Sequence, residues 1–181
     1  MLILLALTAH EAAHLLCAII LRIEFNRFRI TLFGFNFDAY LDHEKFYKKL
    51  ILFLSGPSCN ILLYLIFKNT KYNSFAEINA FLAAINLVPI VPLDGGNICK
   101  SILEIFLNIK SVCRYMIMTN TFFIVCFLVI IHMYENYLYF ILILMALKGI
   151  VEENQNLIEK SIKKNYLIKF SKFKKNKLKN F

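Results

Sequence analysis

Apolar and polar positions divide this chain of 181 residues into long apolar runs separated by short polar stretches. Met1 to Leu21 is apolar apart from Thr8, His10, Glu11 and His14, and a run of that length predicts a helix able to cross a hydrocarbon core of about 30 Å. Leu50 to Phe67 predicts a second span, interrupted by Gly56, Pro57, Ser58 and Asn60. Those residues fit either a tolerated kink or a close approach of this helix to the first. Phe75 to Leu93 predicts a third span ending in NLVPIVPLDGGN, Met116 to Met133 a fourth, and Tyr137 to Ile150 a shorter fifth beyond a turn at Glu135. Pro89 and Pro92 disfavour helix just before them, Gly95 and Gly96 loosen the chain after Asp94, and a helix is expected from Gly95 through Leu107.

Between Arg22 and Lys49 the period changes. Phe28, Ile30 and Leu32 alternate with Arg27, Arg29 and Thr31, then Phe35, Phe37 and Ala39 alternate with Asn36 and Asp38, with Gly34 between the runs. A period of two predicts a short β-hairpin near Gly34. An open edge there could take an extended peptide as an added strand. The expected fold is therefore an all-α polytopic membrane protein of about five transmembrane helices, with a short β-hairpin near the cytoplasmic face.

Composition agrees with the pattern: 59% of residues are hydrophobic, 18% are charged, and the mean hydropathy is +0.61. A soluble domain of this size could hide that balance only with difficulty. The net charge of +9 is uneven, because residues 151–181 carry nine lysines against three glutamates. That excess places the tail in the cytoplasm by the positive-inside rule. Leu167, Ile168, Phe170 and Phe173 interleave with the lysines, which suits an anionic lipid surface, and no nucleic-acid partner is expected. With five spans, the basic stretches 22–49 and 94–115 also fall inside, while Lys68, Lys71 and Glu135 fall outside. Cys17, Cys59, Cys99, Cys113 and Cys126 are scattered without a CxxC pair, so neither a disulfide framework nor a cysteine metal cluster is expected. No basic residue precedes the first apolar run and Arg22 follows it, unlike a cleaved signal peptide.

The candidate chemistry begins with HEAAH at residues 10–14, inside the first span. Residues four apart share a helix face, so His10 and His14 can offer two imidazoles to one Zn²⁺. Glu11 lies about 100° round the axis, where a carboxylate can take a proton from water without being a ligand. Two histidines and a glutamate in hydrocarbon are costly unless something compensates, and a metal does. Asp94 is the natural third ligand, on a segment expected to be non-helical and free to reach the first helix; its bland reading is a helix N-cap. His43, His132 and Glu135 compete for that place from connecting loops or span ends. Asp38, Asp42 and Glu44 read as solvated loop charges.

With HEAAH at 10–14, SGPSCN at 55–60 and NLVPIVPLDGG at 86–96, the chain resembles the site-2 protease (M50) family of intramembrane zinc metalloproteases. Through its short hairpin loop, the PLDGG ending and LKGIVEEN before a basic tail, it most resembles the stage IV sporulation protein FB branch. The resemblance implies one Zn²⁺ per chain on His10, His14 and Asp94, with Glu11 as general base. It also implies that Asn86, Asn60 and Pro92 contact substrate or order the site. The implied partners are a membrane-associated protein substrate, in the sporulation branch a sigma-factor precursor, and membrane-bound inhibitory proteins; oligomers are compatible. Relatives in this branch usually carry a helix before the motif helix and nucleotide-sensing motifs after the tail. This sequence shows neither, which leaves direct regulation by ATP unassigned.

The resulting expectation is a membrane-embedded metalloprotease domain at 1–150 and a basic cytoplasmic tail at 151–181, in a bacterial cell membrane or a membrane surrounding the forespore. Two other classes compete: a non-catalytic scaffold or inhibitor with the same fold, and a metal or proton transporter, since intramembrane His, Glu and Asp also mark ion pathways. An intact Glu11 argues against the scaffold. A transport mutant would lose flux without altering any substrate's length.

Overall fold

The computed structural model describes residues 1–23, 25–31, 34–39, 41, 44–135 and 139–179, with side chains described for 1–23, 41, 44–135, 139–159 and 161–162. Within these, six helices and one two-stranded sheet form two compact units, Met1–Phe106 and Leu107–Phe181.

The first unit opens with α1 (Leu2–Ile20), whose buried residues are Ala6, His10, His14 and Ala18. That stripe at a spacing of four faces protein, while Leu4, Leu5, Leu16, Ile19 and Ile20 are exposed. Polar groups inside and large apolar groups outside are what a lipid solvent selects. Strands β1 (Phe25–Thr31) and β2 (Gly34–Ala39) pair antiparallel, Phe28 opposite Phe37 and Thr31 opposite Gly34, with a register irregularity between Phe25 and Arg27. Helix α2 (Phe46–Phe67) continues through Pro57, and its buried residues Leu52, Gly56, Pro57 and Asn60 again recur at a spacing of three to four. It packs against α1, α3 (Asn73–Asn86) and α4 (Asp94–Phe106). Small side chains on these faces, Ala76 and Ala83 of α3 and Gly95 and Gly96 of α4, let the backbones approach closely.

Between α3 and α4 the chain is irregular, with a cis Val91–Pro92 peptide. Ile90, Val91 and Leu93 are buried, and successive turns satisfy the backbone through Val88 N–H to Ile85, Ile90 N–H to Val88 and Leu93 N–H to Ile90. Cover by protein is one of the two settings in which non-helical backbone is tolerated at membrane depth.

In the second unit α5 (Ile109–Tyr134) starts at Asn108, whose side chain accepts from the Ser111 N–H. It packs against α6 (Tyr139–Lys179), and the buried Asn120 amide donates across to the Ala146 carbonyl at 3.1 Å.

Among the described residues, α1, α2 and α5 are long and apolar enough to cross a membrane. The other expected spans differ in detail. Helix α3 stops at Asn86 after 14 residues, a rise of about 21 Å, because the two prolines exclude helix from the stretch expected to continue to Leu93. The stretch from Tyr139 does not end at Ile150 but runs on as one helix of 41 residues through the basic segment. Asp94 also differs from expectation. It is the first residue of α4 rather than part of the irregular segment, because Gly95 and Gly96 pack closely instead of loosening the chain. A Cβ at Gly96 would collide with the backbone of Ile90 and Val91, and one at Gly95 with that of Leu87.

Candidate metal centre

Helix periodicity puts His10 and His14 on the same buried face of α1, their rings edge to face with centroids 4.8 Å apart. The first residue of α4 brings a carboxylate to the same point. His10 Nε2 lies 3.1 Å from Asp94 Oδ2, His14 Nε2 lies 3.2 Å from it, and the two Nε2 atoms are 3.2 Å apart. These three donors are the group among the described residues able to hold a metal ion.

The donor set fits zinc on its own chemistry. Two imidazole nitrogens and one carboxylate oxygen are a donor set of the kind that catalytic zinc sites use. A tetrahedron with bonds of 2.0–2.1 Å has edges of about 3.3–3.4 Å, close to all three separations seen here. The three donor atoms converge in a largely buried site, with the Asp94 side chain only 12% exposed.

Helix α2 supplies the surroundings. The carbonyl of Leu52 accepts from His14 Nδ1–H at 2.8 Å. The Ser55 hydroxyl donates to that same carbonyl at 2.7 Å, and its oxygen lies 3.1 Å from His14 Nδ1. Asn60 places its amide 3.1 Å from His10 Nδ1. Each ring thus turns its Nδ1 to α2 and its Nε2 to Asp94. Between these contacts sits Gly56, where a Cβ would overlap His14 Nε2 and lie 2.6–2.7 Å from the His10 ring. Of the two readings left open for the Gly56–Asn60 interruption, the structure displays the close approach of α2 to the motif helix.

Other residues singled out in the sequence fall as follows. Glu11 is half-buried next to the donors and makes no hydrogen bond among the described residues. Asn86 donates to the Leu82 carbonyl within its own helix at 3.1 Å. Pro92 lies two residues before Asp94, and its carbonyl accepts from Asn97 Nδ2 at 3.2 Å. Glu44 pairs with Lys48 at 2.9 Å. Of the competing ligands, His132 occupies the last turn of α5 and Glu135 caps that helix with left-handed backbone, both in the second unit. His43 and Asp42 lie outside the described residues, as does the side chain of Asp38. The Leu52 carbonyl and Ser55 were not anticipated; a backbone carbonyl leaves no mark in a sequence, and the one signal for Ser55 was its place at the head of SGPSCN.

Comparison with known proteins finds three similarities. The family model described as peptidase family M50 matches residues 69–131, a stretch that includes Asn86, Pro92 and Asp94 and lies beyond His10 and His14. A Synechocystis sp. protein named as a zinc metalloprotease is 32% identical over 111 residues, covering 54% of this chain. The chain spans 29% of that relative's length. The fold is similar to that of the site-2 protease from Methanocaldococcus jannaschii, with a TM-score of 0.64 and 18% identity, over 86% of this chain and 76% of the other. The chain is thus similar to peptidase family M50 over residues 69–131 and to a zinc metalloprotease over 111 residues, and it shares the fold of a site-2 protease.

Proposed function

We propose that the chain is an intramembrane zinc metalloprotease that cuts a peptide bond in a membrane-associated regulatory protein. The observation that carries this reading is the triangle of His10 Nε2, His14 Nε2 and Asp94 Oδ2, 3.1–3.2 Å on each side, on apolar elements and beside an unengaged glutamate. When bound there, zinc supplies Lewis acidity for activating water and polarising the scissile carbonyl. Glu11 takes the proton from the attacking water and returns it to the leaving amine. The α2 partners of His10 and His14 hold both Nε2 atoms toward Asp94, where they would bind the metal. The substrate has to be extended to be cut, and a strand added to β1–β2 meets that need. Asn86 and Pro92, at the ends of the irregular segment, are assigned to substrate contact.

Five crossings are retained, the third made by α3 with the irregular segment and the fifth by the start of α6. The hairpin, the Asp94 region and the basic tail then share the cytoplasmic side. The substrate class follows the resemblance to the stage IV sporulation protein FB branch: a sigma-factor precursor, with membrane-bound inhibitory proteins governing access.

The test is co-expression in bacterial membranes of the chain, or its Glu11→Gln variant, with a tagged sigma-factor precursor. A shortened product is expected with the unaltered chain alone, suppressed by a zinc chelator. Product from Glu11→Gln at the unaltered rate would remove Glu11 as the base. If purified protein holds one zinc but gives no product, the substrate assignment falls and the metal site stands.

A further inference from the structure

The two histidines are held by α2 in unlike ways. His14 turns its Nδ1 to the Leu52 carbonyl, and a carbonyl can only accept. His14 therefore carries a proton on Nδ1, which leaves Nε2 as its nitrogen able to ligate a metal. His10 turns its Nδ1 to a side-chain amide instead, and an amide offers a donor at one end and an acceptor at the other.

With the Asn60 NH₂ toward the ring, His10 Nδ1 accepts and the ring proton sits on Nε2, where it faces Asp94 Oδ2 at 3.1 Å. In that state His10 has no lone pair for a metal. With the Asn60 oxygen toward the ring, Nδ1–H donates and Nε2 becomes a ligand. The Asn60 oxygen is fully buried and has no hydrogen-bond partner among the described residues, so a half-turn of the amide gives it one without moving either helix.

We infer that Asn60 is a positioning residue whose amide selects the His10 tautomer: with its oxygen toward the ring, Nε2 is left free to ligate zinc. The inference rests on the zinc reading proposed above. It accounts for the residue type: a carboxylate offers only the acceptor, an apolar side chain offers neither, and an amide serves both states at one place.

The test uses the full chain in detergent, with metal affinity measured by competition against a chromophoric chelator and geometry by the visible spectrum of bound Co²⁺. Asn60→Leu is expected to bind Zn²⁺ 10- to 100-fold more weakly, the range for loss of an outer-shell partner, with altered Co²⁺ bands. Asn60→Asp restores an acceptor and is expected to bind at least as tightly as the unaltered chain, with unaltered bands. Binding by Asn60→Leu within threefold of the unaltered chain overturns the inference, and so does an Asn60→Asp variant weakened as much as Asn60→Leu. If circular dichroism shows Asn60→Leu unfolded, Asn60→Asp decides alone, and a tenfold loss there overturns it. An unaltered chain that binds neither Zn²⁺ nor Co²⁺ overturns the zinc reading and the role of Asn60 with it, a result visible before any variant is made.

Discussion

Between α1 and α2 the tightest point is Gly56, where the backbone of α2 meets the rings of His10 and His14 with no side chain between them. Replacing Gly56 with Ala adds one methyl group at the point where the Nε2 atoms converge. Alanine also favours helix over glycine by about 1 kcal/mol, so α2 itself should hold. The expected result for Gly56→Ala is helicity equal to the unaltered chain and zinc affinity reduced at least tenfold, checked by circular dichroism and chelator competition. Zinc binding at the unaltered level would show that the two helices separate freely at this point. At this scale the sequence was most legible where a residue type is chemically out of place. His10, Glu11 and His14 stand out because hydrocarbon tolerates them so poorly. The partners that orient the rings were less legible: Leu52 acts through its backbone, and Gly56 acts by having no side chain.

Helix α4 is tied to its neighbours at both ends. Asp94 at its start meets the two histidines of α1, and Glu104 near its end pairs with Lys49 of α2 at 3.0 Å. The second tie is partly exposed, with side chains 13% and 27% accessible, and a pair of that kind contributes about 1 kcal/mol or less. Glu104→Gln should therefore lower thermal stability by no more than that and leave zinc affinity unchanged. A change in zinc affinity above threefold would instead mean that the two ends of α4 are coupled. The prolines at 89 and 92 announced the break before α4, since their rings exclude helix at the preceding residues. The start of α4 was misplaced for a physical reason: Gly-Gly reads as a flexible link, yet it equally permits the close backbone packing seen against residues 87–91. The exact extents of α3 and α6 were illegible, because apolar runs continue past Asn86 and helix-forming residues continue past Ile150.

For the whole molecule, the membrane character was plain from composition and run length, and three helices bear it by length and apolarity. The division into units at Phe106 and Leu107 was not, because it depends on which helices pack together, and packing faces here are marked by small residues that carry little sequence signal. Zinc bound between α1 and α4 should stabilise the fold by linkage, about 2.7 kcal/mol when free zinc is a hundred times its dissociation constant. The unaltered chain should show a Tm that rises with added Zn²⁺, whereas Asp94→Ala should show a Tm indifferent to it. An Asp94→Ala variant that responds to zinc as the unaltered chain does would exclude Asp94 as a ligand.

The donors His14 and Asp94 are separated by 80 positions in the chain. A ribosome adding 5–20 residues per second takes about 4–16 s to cover that distance. During that interval the motif helix can already occupy the bilayer while the third donor does not yet exist. The order of synthesis therefore acts as a timer, since the three donors can meet only after α4 has begun to emerge.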